Sequence, residues 1–110
     1  MLLLRTILIV SIMISPLWAG LVQVGSDYRH TTLSEGLDAS LSGDTVLVHP
    51  GTYVESGLTI SHPLTLIGID NPIIDGNHSG EILTVTADNV VIEGFTFKGS
   101  GLSHLDENAG

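Results

Sequence analysis

From Thr45 onward the chain is written in short apolar runs, TVLVHPGTY, GLTIS, PLTLIG, PIIDG, ILTVT, NVVIEG and FTFKG, rich in Val, Ile, Leu, Phe and Thr and separated by Gly, Pro, Asn and Asp. Such runs predict strands of three to five residues with turns between them. Ahead of them, TLSEGLDASL at residues 32–41 has a different period: Leu33, Leu37 and Leu41 stand four apart, one stripe of a helix. Thr32 with Glu35 reads as a capping box, and Gly43 as the stop beyond the far end. One short amphipathic helix is therefore expected before a long series of strands.

The strands repeat. Laying LTISHPLTLIG on LTVTADNVVIEG pairs Leu58 with Leu83, Ile60 with Val85, Leu64 with Val90, Leu66 with Ile92 and Gly68 with Gly94. The same comparison sets Val48, His49, Pro50 and Gly51 above Ile73, Ile74, Asp75 and Gly76, with Phe97, Lys98 and Gly99 as the next layer. A hairpin meander has no reason to repeat its side chains in this way, whereas stacked coils place equivalent residues about 4.8 Å apart and reward like on like. The expected fold is all-β, a right-handed parallel β-helix of about two and a half coils with three short strands per coil. Leu58, Ile60, Leu83 and Val85 should point into the tube, and Thr59 and Thr84 should form an outer ladder. The helix at 32–41 is read as a cap over the open first coil. No comparable element closes the other end, so residues 45–110 are read as the first coils of a longer protein.

Residues 1–19 read as a secretory signal: Arg5, an apolar stretch to Ser15, Pro16, and a small residue at Ala19 before the cleavage point. The stretch falls short of the roughly 20 apolar residues of a membrane span. Residues 20–44 then form an N-terminal segment with the capping helix. Removing the signal takes both methionines, and the chain has no cysteine, so no disulfide staples the core. The twelve acidic residues face only Arg29 and Lys98 once Arg5 is gone. Nucleic acid is excluded as a partner on that balance, because phosphate neutralisation needs clustered Lys and Arg.

Candidate chemistry is sparse. His49, His62, His78 and His104 match no compact metal-ligand spacing and are read as turn histidines. His104 with Asp106 and Glu107 is the densest group of metal-ligand types, within an apparent loop, and no metal site is assigned to it. A Cu(I) carrier relies on thiolate or thioether, and the mature segment has neither. Asp70, Asp75, Asp88 and Asp106 stand near strand ends, yet none aligns with another in the repeat, as paired carboxylates for glycoside cleavage would require. They are read as turn caps. Gly99, Ser100, Gly101 and Ser103 lack the Lys and helix of a phosphate loop. Asn77, His78 and Ser79 form an N-glycosylation sequon by pattern only, one that would matter in a eukaryotic secretory pathway.

GDTVLVHPGTY, LTI, PLTLIG, PIIDG and ADNVVIEGFTFKGSG together resemble the start of the NosD-type nitrous oxide reductase maturation proteins, within the wider pectin-lyase-like β-helix group. The resemblance covers residues 27–110. GDTVLVHPGTY is common to many secreted β-helix proteins. The more specific part is GFTFKGSGLSHLDENAG, where Gly99, Ser100, Gly101, Ser103, Asp106, Ala109 and Gly110 look like that family's own wording. The resemblance implies a periplasmic, non-catalytic accessory protein. It would act with a membrane ABC transporter on the copper-sulfur centre of nitrous oxide reductase, with copper as the only metal implied. The alternative is a secreted β-helix protein that binds or cleaves carbohydrate, and a third reading is an adhesive or structural surface repeat.

Overall fold

Leu58 lies beside Leu83, Ile60 beside Val85, Leu64 beside Val90 and Leu66 beside Ile92, all in parallel register, as the repeated wording requires. A computed structural model describes residues 20–99 and the strand backbone at 102–104. The expected signal at 1–19 and the segment 105–110 lie outside the described residues.

The strands are β1 (Leu21–Val24), β2 (Thr45–Val48), β3 (Thr52–Val54), β4 (Leu58–Ile60), β5 (Leu64–Gly68), β6 (Ile73–Asp75), β7 (Leu83–Val85), β8 (Val90–Glu93), β9 (Thr96–Lys98) and β10 (Leu102–His104). The helix is α1 (Leu33–Ala39). They form three parallel sheets ordered β1-β2-β5-β8, β3-β6-β9 and β4-β7-β10. Each coil contributes one strand to each sheet, so the chain is a parallel β-solenoid of about three coils. The third coil, expected to stop short, is continued by β10, which pairs with β7 from Leu102 opposite Leu83 to His104 opposite Val85.

Alternation decides what is inside. Val46 and Leu66 stack in one inward column beside the partly buried Val22 and Ile92; Leu58 and Leu83 form a second, and Ile60 and Val85 a third. Tyr53 and Ile74 stack on Phe97 in the second sheet. Thr59 and Thr84 face outward, side by side, as the expected outer ladder. Where β5 ends the coils approach so closely that a Cβ on Gly68 would overlap the carbonyl of Gly94, and one on Gly94 would overlap that of Gly68. The paired glycines in the repeat are therefore a packing requirement.

The register of the first two coils differs from expectation. Thr52, not Val48, stands over Ile73, and Tyr53, not His49, over Ile74, while Val48 belongs to the first sheet opposite Gly68. The offset of 25 read from Leu58 and Leu83 includes the corner 76–82, whose counterpart 55–57 in the coil above is three residues long. Thr52 and Ile73 are compared before that corner and lie only 21 apart. The layer below was read correctly, with Ile74 opposite Phe97 and Asp75 opposite Lys98.

The N-terminal segment also holds more than a helix. Its strand β1 pairs with β2 from Leu21 opposite Thr45 to Val24 opposite Val48, too brief a run before GSDY for its alternation to stand out. The α1 helix is shorter than 32–41, and Leu41 is 72% exposed instead of completing the stripe. The chain leaves the helix at Ser40, whose backbone is extended and whose N–H and hydroxyl both donate to Leu37 O, at 3.2 and 2.7 Å. Asp44 then accepts from Leu41 N at 2.8 Å and ends the segment before Gly43 can act as the stop. At the other end Thr32 Oγ1 accepts from Glu35 N, while the Glu35 carboxylate accepts from Thr31 N, one residue before the cap.

The helix packs on β1 and β2 through Leu33, Gly36 and Leu37, as a cap over the first coil should. Two further bonds fix it: Glu55, at the end of β3, accepts from Leu33 N at 2.7 Å and Ser34 N at 2.9 Å. A carboxylate there satisfies free amides of the first turn and opposes the positive end of the helix. Gly36 lies so close to β1 that a Cβ would overlap Val24 Cγ2. Alanine forms helix better than glycine by about 1 kcal/mol, yet Gly36→Ala is expected to destabilise the protein by about 1–3 kcal/mol through overpacking. In a Val24→Ala background that penalty should shrink or reverse, and urea unfolding of the four chains of the cycle measures the coupling.

Candidate functional site

The polar residues that sequence reading singled out are spread around the corners of the solenoid. His104 ends β10 opposite Val85, and its side chain, with Asp106 and Glu107, lies outside what the structure describes. His30 bridges to Val24 through its backbone, and its carbonyl accepts from Gly25 N. His78 occupies an exposed turn. Among the described residues no three His, Cys, Asp or Glu come close enough to hold a metal ion.

Two histidines make specific contacts that the sequence did not reveal. His62 Nε2 lies 3.0 Å from Ser40 Oγ, a pairing that invites comparison with a nucleophile and its base. The hydroxyl proton is already committed, because Ser40 Oγ lies 2.7 Å from the carbonyl oxygen of Leu37, and two oxygens stand that close only with a proton between them. His62 Nε2 must therefore carry the hydrogen and donate it to Ser40. The serine is also 4% exposed. This pair ties the corner before β5 to the end of α1, and no base faces the hydroxyl.

The second contact joins β1 to the corner after β2. His49 Nε2 lies 2.9 Å from Gln23 Oε1, and its ring stacks on Tyr28 with centroids 4.2 Å apart and planes 7° from parallel. Beneath it, the Tyr53 hydroxyl donates to His49 O at 2.7 Å. Tyr28 remains 38% exposed. Nearby Arg29, with His30, Glu35, Asp38 and Ala39, lines a shallow depression of about 470 Å³. Gln23, Tyr28 and His49 come together only through the β1–β2 register, which is why composition and spacing gave no sign of them.

Two aspartates, Asp44 and Asp75, hold turns through their side chains. Asp44 accepts from Gly20 N and Leu41 N, both at 2.8 Å. Asp75 accepts from Asn77 N at 2.9 Å and faces Lys98 Nζ at 3.9 Å in the next coil. Asp70 lies in the corner between β5 and β6, and Asp88 in that between β7 and β8, so the register stacks neither on another carboxylate. No described helix is long and apolar enough to cross a membrane.

Burial, and after it the nearby Glu55 carboxylate, pushes the Tyr53 phenol above the ordinary tyrosine range. As pH rises past about 10 the unfolded phenol ionises first, so the folded state loses stability from there up to the raised folded value. Below that range the group contributes no pH dependence. Tyr53→Phe is expected to cost about 1 kcal/mol at neutral pH through the lost bond to His49 O. It should also remove Tyr53's share of the alkaline loss, which urea midpoints between about pH 9 and 11 would show.

No protein family, curated protein or solved structure matches this chain.

Proposed function

We propose that this chain is a periplasmic accessory scaffold in the maturation of the copper-sulfur centre of nitrous oxide reductase, acting beside a membrane ABC transporter. The observation that carries the reading is the wording GFTFKGSGLSHLDENAG. Its first part occupies the third coil, where β9 and β10 flank the corner that begins at Gly99. A scaffold suits the rest of the molecule: His49, His62, Asp44 and Asp75 tie corners together, and a parallel solenoid offers rigid outward ladders at fixed spacing. Copper in this reading is held by the reductase, and no step passes through a ligand on this chain.

A second reading, a secreted carbohydrate-binding β-helix, is favoured by one feature, the partly exposed Tyr28 ring stacked on His49 beside the Arg29 depression. An aromatic face fringed by polar groups suits a sugar ring.

Deleting the gene in its own host separates the two. On the maturation reading the reductase accumulates at its normal level without its copper-sulfur absorption, and nitrous oxide reduction is lost; re-expression restores both. Reductase that remains fully loaded in the deletion strain rejects the proposal. Binding of oligosaccharides that Tyr28→Ala abolishes would instead support the second reading.

A further inference from the structure

The corner between β6 and β7, residues 76–82, is the long one of its column. The equivalent corner in the coil above, 55–57, is three residues long. Ile82 turns back into the core and is fully buried, while residues 77–81 are all exposed. The extra chain therefore stands out from the solenoid. Insertions in a repeat protein project from one face in this way without disturbing the stack.

This protruding segment carries the chain's only Asn-x-Ser/Thr acceptor sequence, Asn77-His78-Ser79. The middle residue is not proline. Two positions before the asparagine stands Asp75, whose carboxylate accepts from Asn77 N at 2.9 Å. Ser79 N donates to Gly76 O at 3.0 Å across a tight turn whose central residues, Asn77 and His78, have φ of 52° and 60°. Left-handed backbone at a non-glycine residue costs roughly 1–2 kcal/mol, so opening this turn into an enzyme's acceptor groove relieves strain as well as breaking bonds. The backbone amides of Asn77, His78 and Ser79 are all bonded, whereas among the described residues the Asn77 carboxamide makes no hydrogen bond and is free to act as acceptor.

We propose that Asn77 is a site of N-linked glycosylation in an extracytoplasmic compartment, with a polyprenyl-diphosphate-linked oligosaccharide as donor. In the transfer, Asn77 Nδ2 forms a bond to C1 of the reducing-end sugar. The C1–O bond to the diphosphate breaks, the lipid diphosphate leaves with the bonding pair, and the amide nitrogen loses one proton. No oxidant or reductant is needed. A glycan there extends from the corner into solvent and leaves every inward column untouched.

The test uses the full chain, leader included, carrying an added C-terminal acceptor sequence as control. It is expressed in bacteria that hold an oligosaccharyltransferase and its lipid-linked glycan. Glycopeptide mass spectrometry should find one glycan on Asn77 besides that on the control. Asn77→Gln and Ser79→Ala should each abolish it without changing the melting temperature. A modified control with an unmodified Asn77 overturns the proposal, because the control shows that the chain reached the enzyme.

Discussion

The parallel backbone ladder is the constraint on which everything else rests. Once β4 lies on β7 and β5 on β8, a residue's neighbour above and below is set by register, and a slip of one position would turn every buried side chain outward. The inward columns are accordingly apolar throughout, Val46 on Leu66 and Leu58 on Leu83, and the close approach at Gly68 and Gly94 leaves room for no side chain at all. Without disulfides, this stacking and the backbone bonds along it are what hold the described coils together.

A ladder of this kind leaves an open first edge, and the polar residues at that end are spent on closing it. Glu55 reaches from the first coil to the start of α1, Asp44 holds the start of β1 and the residue after the helix, and Ser40 and His62 fasten the helix end to the corner before β5. These are the residue types from which catalytic sites are made. Here their lone pairs and protons are occupied by backbone groups and by one another, and none of the described buried side-chain nitrogens or oxygens lacks a partner. Charge and hydrogen bonding serve the cap, and the core needs none.

Much of the fold was legible because stacking writes itself into sequence as likeness at a distance. Leu58 and Leu83, Leu66 and Ile92, and Thr59 and Thr84 could be paired before any coordinates existed, and their register is as expected. Legibility failed where likeness was thin or the offset changed. Thr52 and Ile73 are unlike, and they are compared before the long corner 76–82, so an offset measured across that corner misplaced them. Leu41 kept the helical spacing, but the local bonds of Ser40 and Asp44 prevailed over it. The Tyr28 and His49 stack was invisible because it depends on β1, whose four residues carry too little alternation to announce a strand. Local patterns report the repeated core, whereas contacts between unlike corners are a product of the register and follow only after it is known.

That division also says where function can be added to such a molecule. Doubling the length of a flexible loop costs only about 0.6 kcal/mol in closure entropy, whereas one residue inserted in a strand inverts its faces. Variation is therefore tolerated at corners, and the corner 76–82 is where this chain departs most from its own repeat. It lies directly against the end of β9: Gly76 N donates to Lys98 O at 2.9 Å and His78 N to Gly99 O at 3.0 Å. The acceptor turn and the start of the Gly99-Ser100-Gly101 wording thus share one edge of the solenoid. A glycan on Asn77 would stand over that edge. Its place beside the next coil is set by a single register, that of Asp75 over Lys98.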